Sequence, residues 1–481
     1  MATGQPEQYN TFGSIKAGEI IFITRQPGTP GEPNLFNVFS LGEETGDKGP
    51  TFELSQSSVA DVPQPFLDDF LIDGLPDYLR SSPSRRVHVV VSTGSGTGLA
   101  QRFYSTVLQR LLETWEEEKK HDSDPRTDSA EISKPENSHN LVLTKSADSV
   151  REFARETSRV GEGEDGVQHT VVLLSGDGGV IEMLNGRVPV EGHESEERLP
   201  LIAILPLGTG NALFNSLHKT AGSGTKFPTP SSLVQGLRTL FKGRAAALPS
   251  FKAEFSPGSR IITYTSPESE TSGDAAEIES HADTVSHLYG AIVASYGFHS
   301  QLVWESDTPE YRKHGAKRFG MVAEQLLKES HAYNAAVELS GKDGSQLQRL
   351  DRDRHAYILA TMVSDLEKTF TISPASRPLD GKLRLVHFGP VSGAKTMEIM
   401  TQAYNEGKHI GMKWTGEDGK EEGVGYEEAK VVKVTTLEED ARWRKVCIDG
   451  TIVELPRDGS MIVKTEDRPH LRVLVDRSLA S

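Results

Sequence analysis

The chain between residues 85 and 217 repeats one pattern: a short apolar run, a turn, then apolar positions at helical spacing. The apolar runs lie at residues 87–91, 141–144, 170–174 and 201–205. Runs of this length without alternation are typical of strands buried on both faces. Helical patterns follow at residues 99–115, 147–160 and 180–184. Strands alternating with helices predict a mostly parallel sheet covered on both faces.

The pattern becomes strand-rich after about residue 246. Strands are predicted at residues 252–255, 260–264, 290–295, 356–362, 382–388, 429–434, 445–448 and 461–464. One long helix is predicted over residues 311–328. Many short strands with few helices predict a mostly antiparallel β-sandwich.

Two further regions fall outside these patterns. Residues 1–83 are predicted to be an accessory β-rich region, with strands at 19–24 and 35–41. Residues 116–140 are polar, charged and aperiodic, which predicts a flexible insertion. The predicted organisation is therefore three parts: residues 1–83, an α/β domain at 84–245, and a β-sandwich domain at 246–481.

Composition narrows the class of protein. Lys and Arg total 52 and Asp and Glu total 69, a net charge of −17, which argues against a general nucleic-acid binder. The single cysteine excludes an internal disulfide and fits a reducing compartment such as the cytoplasm. The most apolar stretch, residues 199–207, contains two prolines and is too short to span a membrane. The first 18 residues lack the pattern of a signal peptide, so we expect none.

Three glycine-rich turns follow three of the predicted strands. In an open parallel sheet, ligands bind beyond the carboxyl ends of the strands, where backbone N–H groups can hold phosphate. The first turn, residues 92–98, has glycine at 94, 96 and 98 and hydroxyl residues between them. Its spacing matches neither a Walker loop nor a dinucleotide fingerprint, and by itself it also fits a flexible turn.

The second turn reads Ser-Gly-Asp-Gly-Gly and places Asp177 between glycines at a strand end. A carboxylate there could take the proton from an attacking hydroxyl or hold Mg²⁺ on phosphates. Glu182 lies just over one helical turn further along. In the third turn, Gly208 and Gly210 permit close backbone approach, Thr209 can donate to a phosphate oxygen, and Asn211 could cap the next helix.

These turns, in this order, resemble the diacylglycerol kinase catalytic domain superfamily, most closely its sphingosine and ceramide kinase branch. The segments that carry the resemblance are SGDGGVIEMLNG and LPLGTGNALFNSLHKTAG, with support from Tyr296-Gly297-Phe298, Trp304-Glu305-Ser306, Tyr311-Arg312, Arg318-Phe319 and Cys447-Ile448-Asp449-Gly450. The resemblance covers roughly residues 85–475, and residues 1–83 fall outside it.

The resemblance implies an ATP- and Mg²⁺-dependent lipid kinase with nucleotide bound by the α/β domain and lipid by the sandwich. It assigns the catalytic base to Asp177. It assigns nucleotide contacts to Ser92, Thr93, Gly94, Thr144, Ser175, Gly176, Gly178, Glu182, Gly208, Thr209, Gly210, Arg312, Arg318, Asp449 and Gly450. It implies a lipid substrate taken at an intracellular membrane surface by a cytoplasmic, peripherally associated protein. The metal ligands, the lipid and the oligomeric state stay open.

Three departures from the family pattern leave alternatives open. Ser92-Thr93 stand where the family has Asn-Pro, and Thr451 stands where it has a final Glu. The acidic residue that sphingosine kinases place after Gly-Phe has no counterpart, because residues 301–303 are Gln, Leu and Val. The alternatives are an NAD kinase-like enzyme, which also uses a Gly-Gly-Asp-Gly turn, and a catalytically impaired pseudokinase that binds nucleotide or lipid.

Overall fold

The computed structural model describes residues 9–26, 35–46, 49–94, 96, 98–122, 139–160, 167–187, 196–219, 226–264, 278–341, 344, 346–416 and 419–479. Three large sheets dominate this part of the chain. A six-stranded sheet carries helices on both faces, and two antiparallel sheets pack on each other. The predicted combination of an α/β unit with a β-sandwich is confirmed.

The six-stranded sheet holds the four strands predicted from the first half of the chain. Its order is Arg244–Ala247, Arg472–Val475, Leu201–Pro206, Gln168–Ser175, Arg85–Val91 and Asn140–Leu143. The last five strands are parallel and the first is antiparallel to its neighbour. The strand Arg472–Val475 comes from the C-terminal end, so the chain returns to this sheet across the predicted boundary at residue 246. The three-part division itself stays a prediction.

Alternate residues of the central strands face two hydrophobic cores, which is why their sequences are apolar throughout. The helices around this sheet are Ala100–Phe103, Gln109–Asp122, Ser149–Val160, Asp177–Gly186, Ala212–Leu217 and Ser232–Lys242, and a π-helical segment, Tyr104–Leu108, joins the first two. The prediction of an aperiodic insertion over residues 116–140 is wrong for residues 116–122, which continue a helix. Residues 123–138 lie outside the described residues.

The N-terminal region packs onto the α/β unit. Its strands and helix are Thr11–Phe12, Ile15–Lys16, Ile20–Arg25, Phe36–Gly46, Gly49–Val59 and Gln64–Phe70. The two predicted strands are confirmed, and the strand Gly49–Val59 was not predicted. The ring of Phe22 lies 4.7 Å from that of Phe241 and 5.9 Å from that of Trp115, so this region shares a core with the helices of the α/β unit.

Two antiparallel sheets form the rest of the fold. The seven-stranded sheet contains Phe251–Phe255, His287–Gly290, Tyr333–Leu339, Gln348–Arg349, Arg354–His355, Val431–Thr436 and Ser460–Thr465. The eight-stranded sheet contains Arg260–Tyr264, Ile278–Thr284, Val293–Gly297, Tyr357–Thr361, Leu383–Phe388, Gly425–Ala429, Lys445–Ile448 and Thr451–Glu454. Two small hairpins add Asp365–Glu367 with Phe370–Thr371 and Lys413–Thr415 with Glu421–Gly423. Each predicted strand overlaps an observed one.

The eight-stranded sheet is the middle layer of the molecule. All five residues of Val293–Gly297 are buried, whereas Val431–Thr436 of the seven-stranded sheet alternates between buried and half-buried positions. One face of the middle layer packs on the seven-stranded sheet. The other face meets the helices Asp177–Gly186 and Ala212–Leu217, which begin at the second and third glycine-rich turns.

Helices in this half are Phe298–Ser306, Pro309–Arg312, Lys317–Glu329 and Gly393–Ala403. The prediction of one helix over residues 311–328 is wrong, because a turn at residues 313–316 divides it. Gly315 lies in that turn with φ of 54°, a left-handed conformation that interrupts the helix.

Candidate active site

The three glycine-rich turns lie side by side because their strands are neighbours in the sheet. Strand Gln168–Ser175 lies between Arg85–Val91 and Leu201–Pro206, and all three run in the same direction. The Ser92 N–H donates to the Leu174 carbonyl at 3.1 Å, and the Leu207 N–H donates to the Ser175 carbonyl at 3.1 Å. The ladder therefore continues into the turns and fixes their relative positions.

Two glycines of these turns are packed against each other. A Cβ at Gly176 would lie 2.9 Å from the Cα of Gly208, closer than real Cβ contacts. A Cβ at Gly208 would likewise meet the backbone of Gly176. The first and third turns also touch, because a Cβ at Gly96 would overlap the Thr209 hydroxyl. Side chains are excluded at these glycines by the packing of one turn on another.

Three other glycines face open space. A Cβ at Gly94 or Gly178 would have no atom within 4 Å. At Gly210 it would meet only the Leu366 carbonyl oxygen at 3.9 Å and an Asp177 carboxylate oxygen at 4.0 Å. A ligand can approach the backbone closely at all three positions, as phosphate binding by backbone N–H groups requires.

Asp177 caps the helix that follows the third turn. One carboxylate oxygen accepts the Ala212 N–H at 2.7 Å, and the other accepts the Leu213 N–H at 3.0 Å. The expectation that Asn211 caps this helix is wrong. Asn211 is left-handed with φ of 56°, and its amide instead braces the turn, accepting the Gly208 N–H at 3.1 Å and donating to the Gly208 carbonyl at 2.9 Å.

The surroundings of Asp177 make it a stronger base. The residue is half-buried at the meeting point of two turns. Burial raises the pKa of Asp177 above its ordinary value, and the two backbone N–H donors offset part of that rise. Each oxygen accepts one N–H, so each keeps a lone pair for a further donor such as a substrate hydroxyl.

Thr93 and Thr144 join the first turn to the end of the neighbouring strand. The Thr93 N–H donates to the Thr144 hydroxyl oxygen at 3.0 Å, and the Thr93 hydroxyl donates to the Thr144 carbonyl at 2.8 Å. Thr144 is buried. Both residues were predicted at the site, and the structure gives Thr144 a bracing contact with the turn.

Glu182 is held by Arg151, a residue that the sequence patterns did not single out. Its carboxylate accepts from Arg151 at 2.7 and 3.1 Å, and Arg151 lies on the helix Ser149–Val160. Burial raises the pKa of Glu182, and the Arg151 guanidinium opposes that rise. Glu182 therefore ties two helices together. In the sequence, Arg151 is only one of the basic residues on the preceding predicted helix. Many other arginines fit that description, so this was a weak signal for a partner of Glu182.

Asn185, which the resemblance included in its second segment without assigning it a role, fastens the helix of the second turn to the sandwich. Its amide exchanges two hydrogen bonds of 2.9 Å with the backbone of Tyr289. Both residues are half-buried, so the two bonds are partly shielded from water. Gly186 follows, and a Cβ there would lie 2.7 Å from that of Ala154. The Asn-Gly pair thus has a structural use: Asn185 bridges the two halves, and Gly186 lets two helices pack closely.

Asp449 lies in the electrostatic neighbourhood of Asp177 although 272 residues separate them in the chain. Its carboxylate accepts the N–H groups of Ala291, Ile292 and Val293 at 2.5–3.2 Å. Burial raises the pKa of Asp449 to about 7, the three N–H donors oppose that rise, and the negative charge of Asp177 adds to it. Gly450 follows with φ of 95° and open space around it. The fold thus brings the predicted C-terminal segment towards the second turn.

Arg312 and Arg318 converge on Asp307. Arg312 donates to the Asp307 carboxylate at 3.0 and 2.5 Å, and Arg318 lies 3.7 Å from it. Arg318 also stacks over the Phe319 ring. The contacts that the structure shows for these two arginines are local, and none of them joins the pair to the three turns. The turn that divides the predicted helix also means that they do not share one helix face.

Comparison with known proteins supports the resemblance. The profile of the family "Diacylglycerol kinase catalytic domain" matches residues 116–240, which include the second and third turns. Sphingosine kinase B of Dictyostelium discoideum is 48% identical over 48 residues, which are 10% of this chain and 6% of that protein. The match therefore spans a small part of that relative's length.

Solved structures of low sequence identity align over most of the chain. A diacylglycerol kinase from Bacillus anthracis str. Sterne is 13% identical, with a TM-score of 0.43 over 82% of this chain and 97% of that one. A second solved structure from the same strain is 13% identical, with a TM-score of 0.47, and the alignment covers 82% of this chain and 98% of that one. Within the described part of the chain, no helix combines the length and apolar character that crossing a bilayer requires.

Proposed function

Taking the chain as a member of the diacylglycerol kinase catalytic superfamily, we propose that it is an ATP-dependent lipid kinase. The reaction is transfer of the γ-phosphoryl group to a lipid hydroxyl of the sphingoid base, ceramide or diacylglycerol class. One observation above all supports the proposal: the glycines of the adjacent turns fall into two groups. Gly176 and Gly208 pack the turns together, while Gly94, Gly178 and Gly210 leave backbone open towards a ligand.

The residues present fit a bound triphosphate. Open backbone at Gly94, Gly178 and Gly210 provides N–H groups, and the exposed Thr209 adds a hydroxyl donor. Mg²⁺ on the nucleotide would neutralise charge on the phosphates. Among the described residues, no three His, Cys, Asp or Glu side chains are arranged to hold a metal ion. This fits a cation held mainly by phosphate oxygens and water, with at most one or two carboxylates.

Asp177 is the proposed base for the lipid hydroxyl. Its raised pKa favours accepting a proton, and its hydrogen bonds to the helix N-terminus fix its position without using every lone pair. Kinases of this type depend mainly on positioning and on charge stabilisation. The turns and Asp177 supply positioning and charge stabilisation together at one edge of the sheet.

The test is phosphoryl transfer by the purified full chain from labelled ATP to a panel of sphingosine, ceramide, diacylglycerol and NAD. We expect a labelled lipid from wild type and a loss of at least about a hundredfold in D177N. D440N is the matched control, because Asp440 caps a short helix through the Arg442 N–H at 2.9 Å, far along the chain from the turns. Near-normal transfer by D177N would contradict the proposal, and labelled NAD would support the NAD kinase-like alternative.

A second candidate function is nucleotide or lipid binding without turnover. The observation favouring it is that both oxygens of Asp177 already accept backbone N–H groups, which a purely structural cap would also do. Thr451 in place of the family's acid points the same way. Saturable ATP binding with no labelled product on any lipid would support this candidate over the kinase.

A further inference from the structure

A small hairpin from the sandwich lies against the third turn. It consists of Asp365–Glu367 paired with Phe370–Thr371. The Leu366 carbonyl oxygen lies 3.9 Å from where a Cβ on Gly210 would stand. The hairpin therefore borders the open backbone that the proposed function assigns to phosphate.

Asp365 is buried in this hairpin, and both oxygens of its carboxylate accept hydrogen bonds. The residue is 3% exposed. Its carboxylate accepts the Ser364 and Thr371 hydroxyls at 2.5 Å each and the Lys219 ammonium at 2.8 Å. A buried carboxylate loses its hydration, so these donors must replace it, and the position of each is tightly defined.

The backbone of Asp365 is also hydrogen-bonded to the helix that begins at the third turn. The Ser216 hydroxyl donates to the Asp365 carbonyl at 3.1 Å and accepts the Asp365 N–H at 3.1 Å. Ser216 is buried in the last turn of the helix Ala212–Leu217, and Lys219 follows shortly after that helix. The helix is thus held by Asp177 at its start and by Asp365 at its end.

We propose that Asp365 and Lys219 are positioning residues for the phosphate-binding turn. A helix of only six residues has little stability of its own, so its orientation depends on these two anchors. Because Asp177, Asn211 and Gly208 are all hydrogen-bonded at the start of that helix, a tilt at its far end moves the base and the turn together. The inference rests on the proposed function and deepens it.

The test compares K219M, K219R and D365N in the full chain. K219M removes the cation while leaving the buried carboxylate, and K219R keeps a cation. We expect K219M to raise the KM for ATP by about fivefold or more with the KM for lipid within about twofold, since misplaced contacts weaken binding and catalysis. K219R should return the KM for ATP most of the way to the wild-type value. D365N should resemble K219M, and the double variant K219M/D365N should be little worse than either single variant.

Hydrogen exchange separates positioning from plain stability. In K219M, the amides of residues 212–217 should exchange faster, while those of Val431–Thr436 keep wild-type rates. K433M is the control, because Lys433 pairs with Glu338 at 2.7 Å on the seven-stranded sheet. A pair that only stabilises the fold would lower the amount of active protein without changing the KM for ATP, and that result would contradict the proposal.

A failure of the proposed positioning role can be told apart from a failure of the kinase proposal. If wild type transfers no phosphoryl group, the kinase proposal fails, and the role of the pair is then measured by the Kd for a fluorescent ATP analogue and by exchange. An unchanged KM or Kd together with unchanged exchange in residues 212–217 of K219M would overturn the positioning role. Because K219M alone provides this result, the test still works if D365N fails to fold.

Discussion

Gly176 and Gly208 meet backbone to backbone, and a Cβ on Gly176 would lie 2.9 Å from the Cα of Gly208. The two residues belong to different turns on neighbouring strands. Their contact sets the distance between the helix that starts at Asp177 and the helix that Asp177 caps. Glycine at these positions is therefore required by tertiary packing, whereas glycine at 178 is not.

Alanine substitutions should separate these two kinds of glycine. We expect G208A to destabilise the protein by about 1–3 kcal/mol, because the added methyl group overpacks the contact. G178A should leave stability unchanged or slightly higher, because alanine favours a helix and has open space there. Urea unfolding measures both. Equal loss of stability in G178A would contradict the packing described for these turns.

The open space at Gly178, in the second turn, leads to a prediction about ATP binding. G178A fills the space through which a phosphate would approach, so the Kd for ATP should rise while the fold is kept. Isothermal titration with Mg²⁺·ATP checks this in wild type and G178A. G320A is the control. Gly320 lies in a helix on the sandwich side, and a Cβ there would also meet open space. Unchanged ATP binding in G178A would place the nucleotide elsewhere.

Removing the Asp177 carboxylate should cost stability as well as activity. D177A leaves the Ala212 and Leu213 N–H groups without their acceptor, so we expect a loss of about 0.5–2 kcal/mol, as for other helix caps. D177N should lose less, because its amide oxygen still accepts one N–H. Thermal unfolding of the two variants measures the difference. D177A as stable as wild type would mean that the cap contributes nothing.

The raised pKa of Asp449 predicts a pH dependence of stability. A carboxyl group whose pKa rises on folding, here from 3.8 to about 7, stabilises the fold fully below the lower value and loses that contribution as the pH rises through the higher one. Wild type should therefore lose stability relative to D449N between about pH 4 and pH 7, with a slope of at most about 1.4 kcal/mol per pH unit. Urea unfolding across that range measures the slope, and parallel curves for the two proteins would contradict the shift.

The charge of Asp177 contributes to that shift, so the two residues should be coupled. In D177N, the pKa of Asp449 should fall, because one negative charge near it is gone. Carboxyl carbon titration by NMR gives the value directly. An unchanged pKa for Asp449 in D177N would show that the two carboxylates do not sense each other.

Glu182 and Arg151 should behave as a structural pair. Their side chains are 20% and 23% exposed, so the ion pair is only partly screened. We expect a coupling energy of about 1 kcal/mol in a double-mutant cycle of E182Q and R151M. A KM for ATP that rises in E182Q but not in R151M would instead support the nucleotide contact that the family resemblance implies.

Local sequence patterns were enough to predict the fold class, four strands of the parallel sheet and the three turns, but not strands such as Gly49–Val59, Tyr333–Leu339 and Arg472–Val475. Buried parallel strands are recognised by uninterrupted apolar runs, and the turns by glycine at strand ends, because both signals are confined to a few neighbouring residues. The proximity of the turns followed from the same signals, since parallel strands place their carboxyl ends at one edge of a sheet.

The contacts of individual side chains depended instead on how distant segments pack. Asn211 stands where a cap is expected, but Asp177, 34 residues earlier, accepts the N–H groups of that helix. Glu182 pairs with Arg151, Asp449 with the Ala291 backbone and Asp365 with Lys219, at separations of 31, 158 and 146 residues. Such pairings leave no local pattern, because a carboxylate takes its donors from whatever backbone or side chain the fold brings within hydrogen-bond distance. Here that depends on the packing of two sheets and the helices between them.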